Sequence, residues 1–270
     1  MPELPELEAL RRKLGPQLQD RMVTAVEVNP RHAHLLRYPV DEFAKEMPAR
    51  RIRAISRRGK HLVFDFDGDR SLVINPMLGG RFQLTDEKTK HAATHVFSLR
   101  LEGREELRYN DFKELGRIYW VRDPATEVPA WADLGPEADE SPRLGMNGFH
   151  ERMRRYRQVL KDLLRDQSFL AGIGNAYSDE ILWEARLMPL RRRATLQPEE
   201  EQALFEAIPV VLERAVNAIL ADPDYDESKQ NRTFMNVHGK GEQPCPRCGH
   251  RISQLGSNRE PVNFCRGCQR

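Results

Sequence analysis

Two clusters of residues in this 270-residue chain have types and spacings suited to chemistry, and they lie at its two ends. At the start, MPELPELEALRRKL brings Pro2 and Pro5 together with Glu3, Glu6 and Glu8. Part of this is a helix start. Leu7, Leu10 and Leu14 recur at helical spacing, Pro5 suits a first turn whose N–H has no partner, and Glu6 and Glu8 favour the positive end of the helix dipole. That reading gives Pro2 and Glu3 no role. At the other end all four cysteines, Cys245, Cys248, Cys265 and Cys268, fall in PCPRCGHRISQLGSNREPVNFCRGC as two C-x-x-C pairs. Two such pairs on tight knuckles, with a short hairpin between them, have the spacing of a zinc ribbon. Four thiolates close the coordination shell, so the zinc, Zn²⁺, would be structural; disulfides are the alternative.

The elements that must position these ends divide the chain in the order of their patterns. From Met22 to about Val121, short runs such as MVTAVEV, RIRAIS, HLVFDFDGD, SLVIN, GRFQL, THVFSLRL and RIYWV alternate with Gly and Asp-Gly turns, which favours a β-sandwich. The stretch 123–147 is rich in acids and prolines and reads as a linker. From His150 onward the periodicity is helical: Met153, Tyr156, Val159, Leu160, Leu163 and Leu164, then YSDEILWEARL, then PEEEQALFEAIPVVLERAVNAIL, which Pro209 could bend. The glycine turn in DQSFLAGIGNAYSDEIL presents the N-terminus of a helix that begins at Asn175, an arrangement suited to binding phosphate and equally to an ordinary turn.

Composition narrows the function classes. The apolar fraction is 39%, the charged fraction 31% and the net charge only +2. No apolar run approaches the length of a bilayer span, and the acidic, proline-broken start is unlike a secretory signal. A soluble, cytoplasmic protein is expected. Its basic residues concentrate in the second half, in MNGFHERMRRYRQ and in the tail from Lys240 to Arg270, which suits phosphate contacts as well as a solvated face.

Taken together and in order, MPELPE, RRGKHLVF around Lys60, QSFLAGIGNAYSDEILWEARLMP and the paired C-x-x-C motifs resemble the formamidopyrimidine-DNA glycosylase and endonuclease VIII family over essentially the whole chain. The resemblance implies an α+β architecture: an N-terminal β-sandwich domain with an N-terminal helix over 1–122, the linker 123–147, a helix-two-turns-helix domain over 148–236, and a zinc-finger β-hairpin over 237–270. It implies a bifunctional DNA glycosylase and abasic-site lyase of base excision repair. Such a protein acts as a monomer on double-stranded DNA containing damaged bases or abasic sites, and is nucleoid-associated when bound.

The roles implied by the family fall on residues that can perform them. With Met1 removed, the Pro2 secondary amine would attack the sugar and form an iminium. Glu3 would move protons, Glu6 would orient the site, and Lys60 would contact phosphate and the target nucleotide. Asn175 matches a phosphate-binding asparagine, Met77 the intercalating methionine, and Lys113 and Leu115 stand where arginine and phenylalanine are usual. The aromatic wedge is therefore expected to be absent. Glu114 puts an acid where a base is usual, Ile74 replaces a histidine, and the hairpin arginine shifts by one residue to Arg259, with Glu260 at the usual position. A non-catalytic binder of damaged or branched DNA on the same fold is the competing expectation. A zinc-ribbon protein binding RNA or protein would explain the cysteines but not the opening.

Overall fold

The computed structural model describes residues 1–223, 231–257 and 260–270. The chain forms two compact units. One takes in Met1–Pro2, Glu6–Ala132 and the described residues after Ala218 up to Pro223; the other takes in Glu3–Pro5, Asp133–Ala218 and the described residues from Asn231 to Arg270.

The first unit opens with helix α1, Leu4–Leu18, whose own first two residues belong to the second unit. Two antiparallel four-stranded sheets follow, and with them the expected β-sandwich. One has the order β1 (Val23–Val28), β6 (His95–Leu101), β7 (Glu105–Asp111), β5 (Gly80–Asp86). The other runs β2 (Ile52–Arg58), β3 (His61–Phe66), β4 (Ser71–Asn75), β8 (Arg117–Val121). Alternation places Leu62, Phe64, Leu72, Ile74, Ile118 and Trp120 of the second sheet in one core with Phe82, Phe97, Leu99, Leu107 and Tyr109 of the first. Leu10, Leu14 and Leu18 of α1 and Phe43 of α2 (Val40–Glu46) join that core. Ile74, at the position where a histidine was usual, is fully buried there and pairs with Leu62 and Ile118.

Three strands of the second sheet, β3, β4 and β8, are covered on their outer face as well. Their outer side chains Val63, Val73, Tyr119 and Val121 pack against Val128 and Trp131, which follow the short helix α3 (Pro124–Glu127). The start of the stretch read as a linker thus lies on the sandwich as a cover. The second half of that stretch carries a 3-10 helix, Ala138–Leu144, and the start of helix α4, Gly145–Met153.

β7 was missed from sequence because EELRYND looks like a polar loop. It is a central strand, paired with both β5 and β6. Leu107 and Tyr109 enter the core, while buried Arg108 donates to Glu106 and to the Thr89 and Lys90 carbonyls, and buried Glu106 also contacts His91 Nε2 at 2.9 Å. A buried ion pair is tolerated where further hydrogen bonds meet its remaining polar atoms, and a composition-based reading cannot anticipate partners supplied by the 89–91 segment.

In the second unit α4, α5 (Leu160–Arg165), α6 (Asn175–Glu184) and α7 (Pro198–Leu220) enclose a core of Phe149, Met153, Leu160, Leu164, Phe169, Tyr177, Ile181, Leu204, Ile208 and Leu212. The helical run expected from His150 is broken at Arg154–Val159, and α7 continues through Pro209. Leu4 is buried in this core, and its N–H donates to the Gly172 carbonyl at 3.0 Å. A two-stranded hairpin, β9 (Ile252–Leu255) and β10 (Val262–Cys265), ends the unit.

Candidate active site and metal centre

Glu3 is 2% exposed, and its carboxylate sits on the N-terminus of α6. Oε2 accepts from the N–H of Gly174 at 2.6 Å and Tyr177 at 3.4 Å, Oε1 accepts from Ala176 at 3.0 Å, and Arg232 Nη2 lies 3.6 Å from Oε1. The helix's unsatisfied amides and its dipole favour an anion at this place. The expectation that these N–H groups point outward for phosphate is therefore corrected: a carboxylate from residue 3 takes them. The glycines of GIGN make this possible. A Cβ on Gly174 would lie 2.5 Å from the Glu3 carboxyl carbon, and Gly172, at φ +105°, lies against the Leu4 side chain. The side-chain amide of Asn175 donates to the Pro261 carbonyl at 2.9 Å, toward the ribbon hairpin.

Pro2 is buried and Glu6 half-buried at the start of α1, in the first unit. The helix is fastened by Glu8, which accepts from Arg11 at 2.7 and 2.9 Å and from Arg12 at 2.8 Å and lies 3.6 Å from Arg57 of β2. Burial pushes the Glu8 carboxyl up, but its arginine partners outweigh that and hold it below the usual carboxylate range. Lys60 occupies the second position of a tight β2–β3 turn, after Gly59 at φ +55° and between the paired residues Arg58 and His61. His61 Nδ1 contacts the Arg58 carbonyl at 3.2 Å, its Nε2 lies 3.3 Å from Asn75 Nδ2, and Asn75 Oδ1 accepts from the Met77 N–H at 3.1 Å. This relay ties the Lys60 turn to the β4–β5 loop, where Met77 is half-buried with a left-handed backbone at φ +46°.

The adjoining β7–β8 loop is pinned by one side chain. Buried Asp111 accepts from the N–H of Lys113, Glu114, Leu115 and Gly116 at 2.9, 3.1, 3.1 and 2.6 Å. Leu115 and Lys113 are exposed. Glu114, expected to repel phosphate, is instead turned toward His32 Nε2 at 3.3 Å and Arg31 at 3.8 Å. Arg259 lies outside the described residues, while Glu260 contacts Arg165 at 3.2 Å.

The four cysteine sulfurs lie within 4.8 Å of one another, with 3.8 Å between Cys245 and Cys268 and 3.4 Å between Cys248 and Cys265. Bonds of about 2.3 Å to a tetrahedral zinc require sulfur separations of just this order. Knuckle geometry is present too: the Cys245 N–H donates to the His250 carbonyl and the Gly249 N–H to the Cys245 carbonyl. Burial raises the Cys245 thiol, but the Trp183 indole and the Arg247 and Cys248 amides prevail and bring it to about 6. Burial and the neighbouring thiols push Cys268 up to about 12. Such crowded thiols ionise together only around a cation, so the donor set fits a metal.

Sequence reasoning missed the buried polar network behind this ribbon. Asp179 accepts from Lys161 Nζ at 2.5 Å and contacts His238 Nδ1 at 2.8 Å. Glu180 accepts from the N–H groups of Asn236, Val237 and His238 at 2.8 to 2.9 Å, fixing the chain that leads into the knuckle. Burial lowers Lys161. The one signal available was the pair of acids in an otherwise apolar YSDEILW.

Residues 1–118 match the family model of the formamidopyrimidine-DNA glycosylase N-terminal domain, and residues 134–221 that of the formamidopyrimidine-DNA glycosylase H2TH domain. Proteins named formamidopyrimidine-DNA glycosylase from Chloroflexus aurantiacus and Thermomicrobium roseum are 35% and 37% identical over 100% of this chain and 98% and 99% of theirs. A solved complex of wild-type Lactococcus lactis Fpg with DNA containing an oxidised pyrimidine matches all of both chains with a TM-score of 0.89 at 25% identity. A complex of the same protein with abasic-site DNA matches 99% of each chain with a TM-score of 0.88 at 24% identity, a likeness of fold. The chain belongs to the formamidopyrimidine-DNA glycosylase family. As a member it is a DNA glycosylase, an enzyme of base excision repair. Among the described residues, no helix is long and apolar enough to cross a membrane.

Proposed function

We propose that this glycosylase is bifunctional: it removes oxidised bases from double-stranded DNA through a Pro2 iminium and then cleaves the strand by β-elimination, with δ-elimination able to follow. The observation that carries this reading is the Glu3 carboxylate, buried and held by the α6 amides in the residue directly after Pro2. While Met1 is attached, the Pro2 nitrogen is an amide and no nucleophile; its removal frees a secondary amine with an α-amino pKa near about 8. That nitrogen attacks C1′, the C1′–N bond breaks, and the base leaves with the bonding pair and takes up a proton. The proline nitrogen gives up its proton, and its lone pair then expels the ring oxygen O4′, which takes up a proton as the C1′–O4′ bond breaks, leaving the opened sugar joined to Pro2 as a cationic iminium. Loss of a C2′ proton into this electron sink then breaks the C3′–O bond and releases the 3′ phosphate. Glu3 is the group to move protons at the sugar, Glu6 orients the site and Lys60 meets phosphate.

Cys245, Cys248, Cys265 and Cys268 would hold one structural zinc, which shapes the hairpin that contacts DNA and takes no part in bond breaking. Asn175, Arg259, Lys113, Met77 and Leu115 complete the proposed DNA contacts.

Borohydride reduction in the presence of an abasic-site duplex tests the reading. DNA should become attached to the N-terminal peptide at Pro2, and Pro2→Gly should weaken trapping. Attachment at a lysine, or no trapping by a chain whose Met1 has been removed, would overturn it.

A further inference from the structure

We propose that Phe112 supplies the aromatic stacking surface that position 115 lacks, receiving the unpaired base opposite the lesion; this rests on the reading of the chain as a DNA glycosylase. Phe112 is 53% exposed, the largest exposure among the large hydrophobic side chains of the described residues. It is held in the open by the β7–β8 turn, whose four following amides are all bound by the buried Asp111. A ring kept in water on a pinned turn costs free energy unless something covers it.

The surroundings say what would cover it. Arg81 and Lys113 each bring a cation to 5.7 Å from the Phe112 ring centre. An aromatic face bordered by cations is the complement of a nucleobase bordered by phosphates: the base stacks on the ring while the cations meet its backbone. The neighbouring loop reinforces this. Leu78 and Leu115 are each 46% exposed, and Gly79 lies so close that a Cβ there would be 2.6 Å from the Lys113 nitrogen. Gly80 pairs with Asp111 in the β5–β7 ladder, so the Met77 loop and the Phe112 turn leave the sheet at the same end of the two strands. Glu114, which would oppose a phosphate, is directed to His32 and Arg31.

The test uses a duplex with a non-cleavable abasic analogue and 2-aminopurine in the opposite strand at that site, so its readout does not depend on catalysis. Stacking on Phe112 should quench the fluorophore on binding. Phe112→Ala should abolish most of that quench and lower single-turnover excision from a matched duplex by about tenfold or more, with a smaller loss on a preformed abasic site. Phe112→Trp should restore both. The proposal is overturned if Phe112→Ala keeps the quench, if Leu115→Ala removes it while Phe112→Ala does not, or if Phe112→Trp behaves as the alanine variant does. Failure of borohydride trapping with the quench intact would sink the lyase chemistry and leave the stacking role standing.

Discussion

The placement of Glu3 on α6 makes Gly174 the most informative position to perturb. In Gly174→Ala the new Cβ would fall 2.5 Å from the Glu3 carboxyl carbon and 2.7 and 2.8 Å from its oxygens. Optimal carbon–carbon separation is about 3.5–4.0 Å, so the carboxylate must retreat by about 1 Å or more. The backbone at Gly174, φ −130° and ψ −153°, is extended, which leaves the clash with Glu3 as the main cost. Two short bonds, at 2.6 and 3.0 Å, would be lost. Hydrogen bonds to a charged group contribute about 1.5–3 kcal/mol each, and water returns part of this, so a net destabilisation of about 2–4 kcal/mol is expected. Misplacing a reacting group by about 1 Å costs on the order of 100-fold in rate. The assay is a double-mutant cycle of Gly174→Ala with Glu3→Ala, read by urea denaturation and by single-turnover base excision. With alanine at position 3 there is no carboxylate to displace, and Gly174→Ala should then cost little. If the two substitutions add independently in both readouts, the contact between Glu3 and the helix terminus is not what Gly174 protects.

Two further predictions concern other parts of the chain. Metal analysis should give about one zinc per chain, and Cys248→Ser should lose it together with DNA affinity; full zinc and full affinity in that variant would refute the closed four-sulfur site. His95 is buried and stacks on His91, and burial first, then the His91 charge, lowers it from 6.5 to about 4. Between those values the unfolded chain binds the proton and the folded chain does not, so stability should fall as pH drops from about 6.5 towards about 4. His95→Gln should flatten the difference between denaturation midpoints at about pH 5 and about pH 7; an unchanged slope would show that His95 is not the group responsible.

Much of this protein is legible in its residues. The paired C-x-x-C motifs prefigure the four sulfurs and the short hairpin between them, because knuckle chemistry depends on local spacing. The alternating runs yield seven of the sandwich strands, since one buried face imposes a period of two, and Leu7, Leu10 and Leu14 mark the buried face of α1. The opening prolines and acids become a candidate site only through their resemblance to a family, because no local rule gives Pro2 and Glu3 a task.

Tertiary structure decides the rest, wherever a polar group finds its partner far along the chain. In the central strand β7 the buried Arg108 and Glu106 are met by one another, by the Thr89 and Lys90 carbonyls and by His91. Glu114 turned to His32, and Glu180 to the chain before the ribbon. Glu3 met an amide 171 residues away because a glycine left room for it. Hydrophobic period is a property of neighbours in sequence, whereas the satisfaction of a buried charge depends on which distant atoms the fold brings within hydrogen-bonding reach.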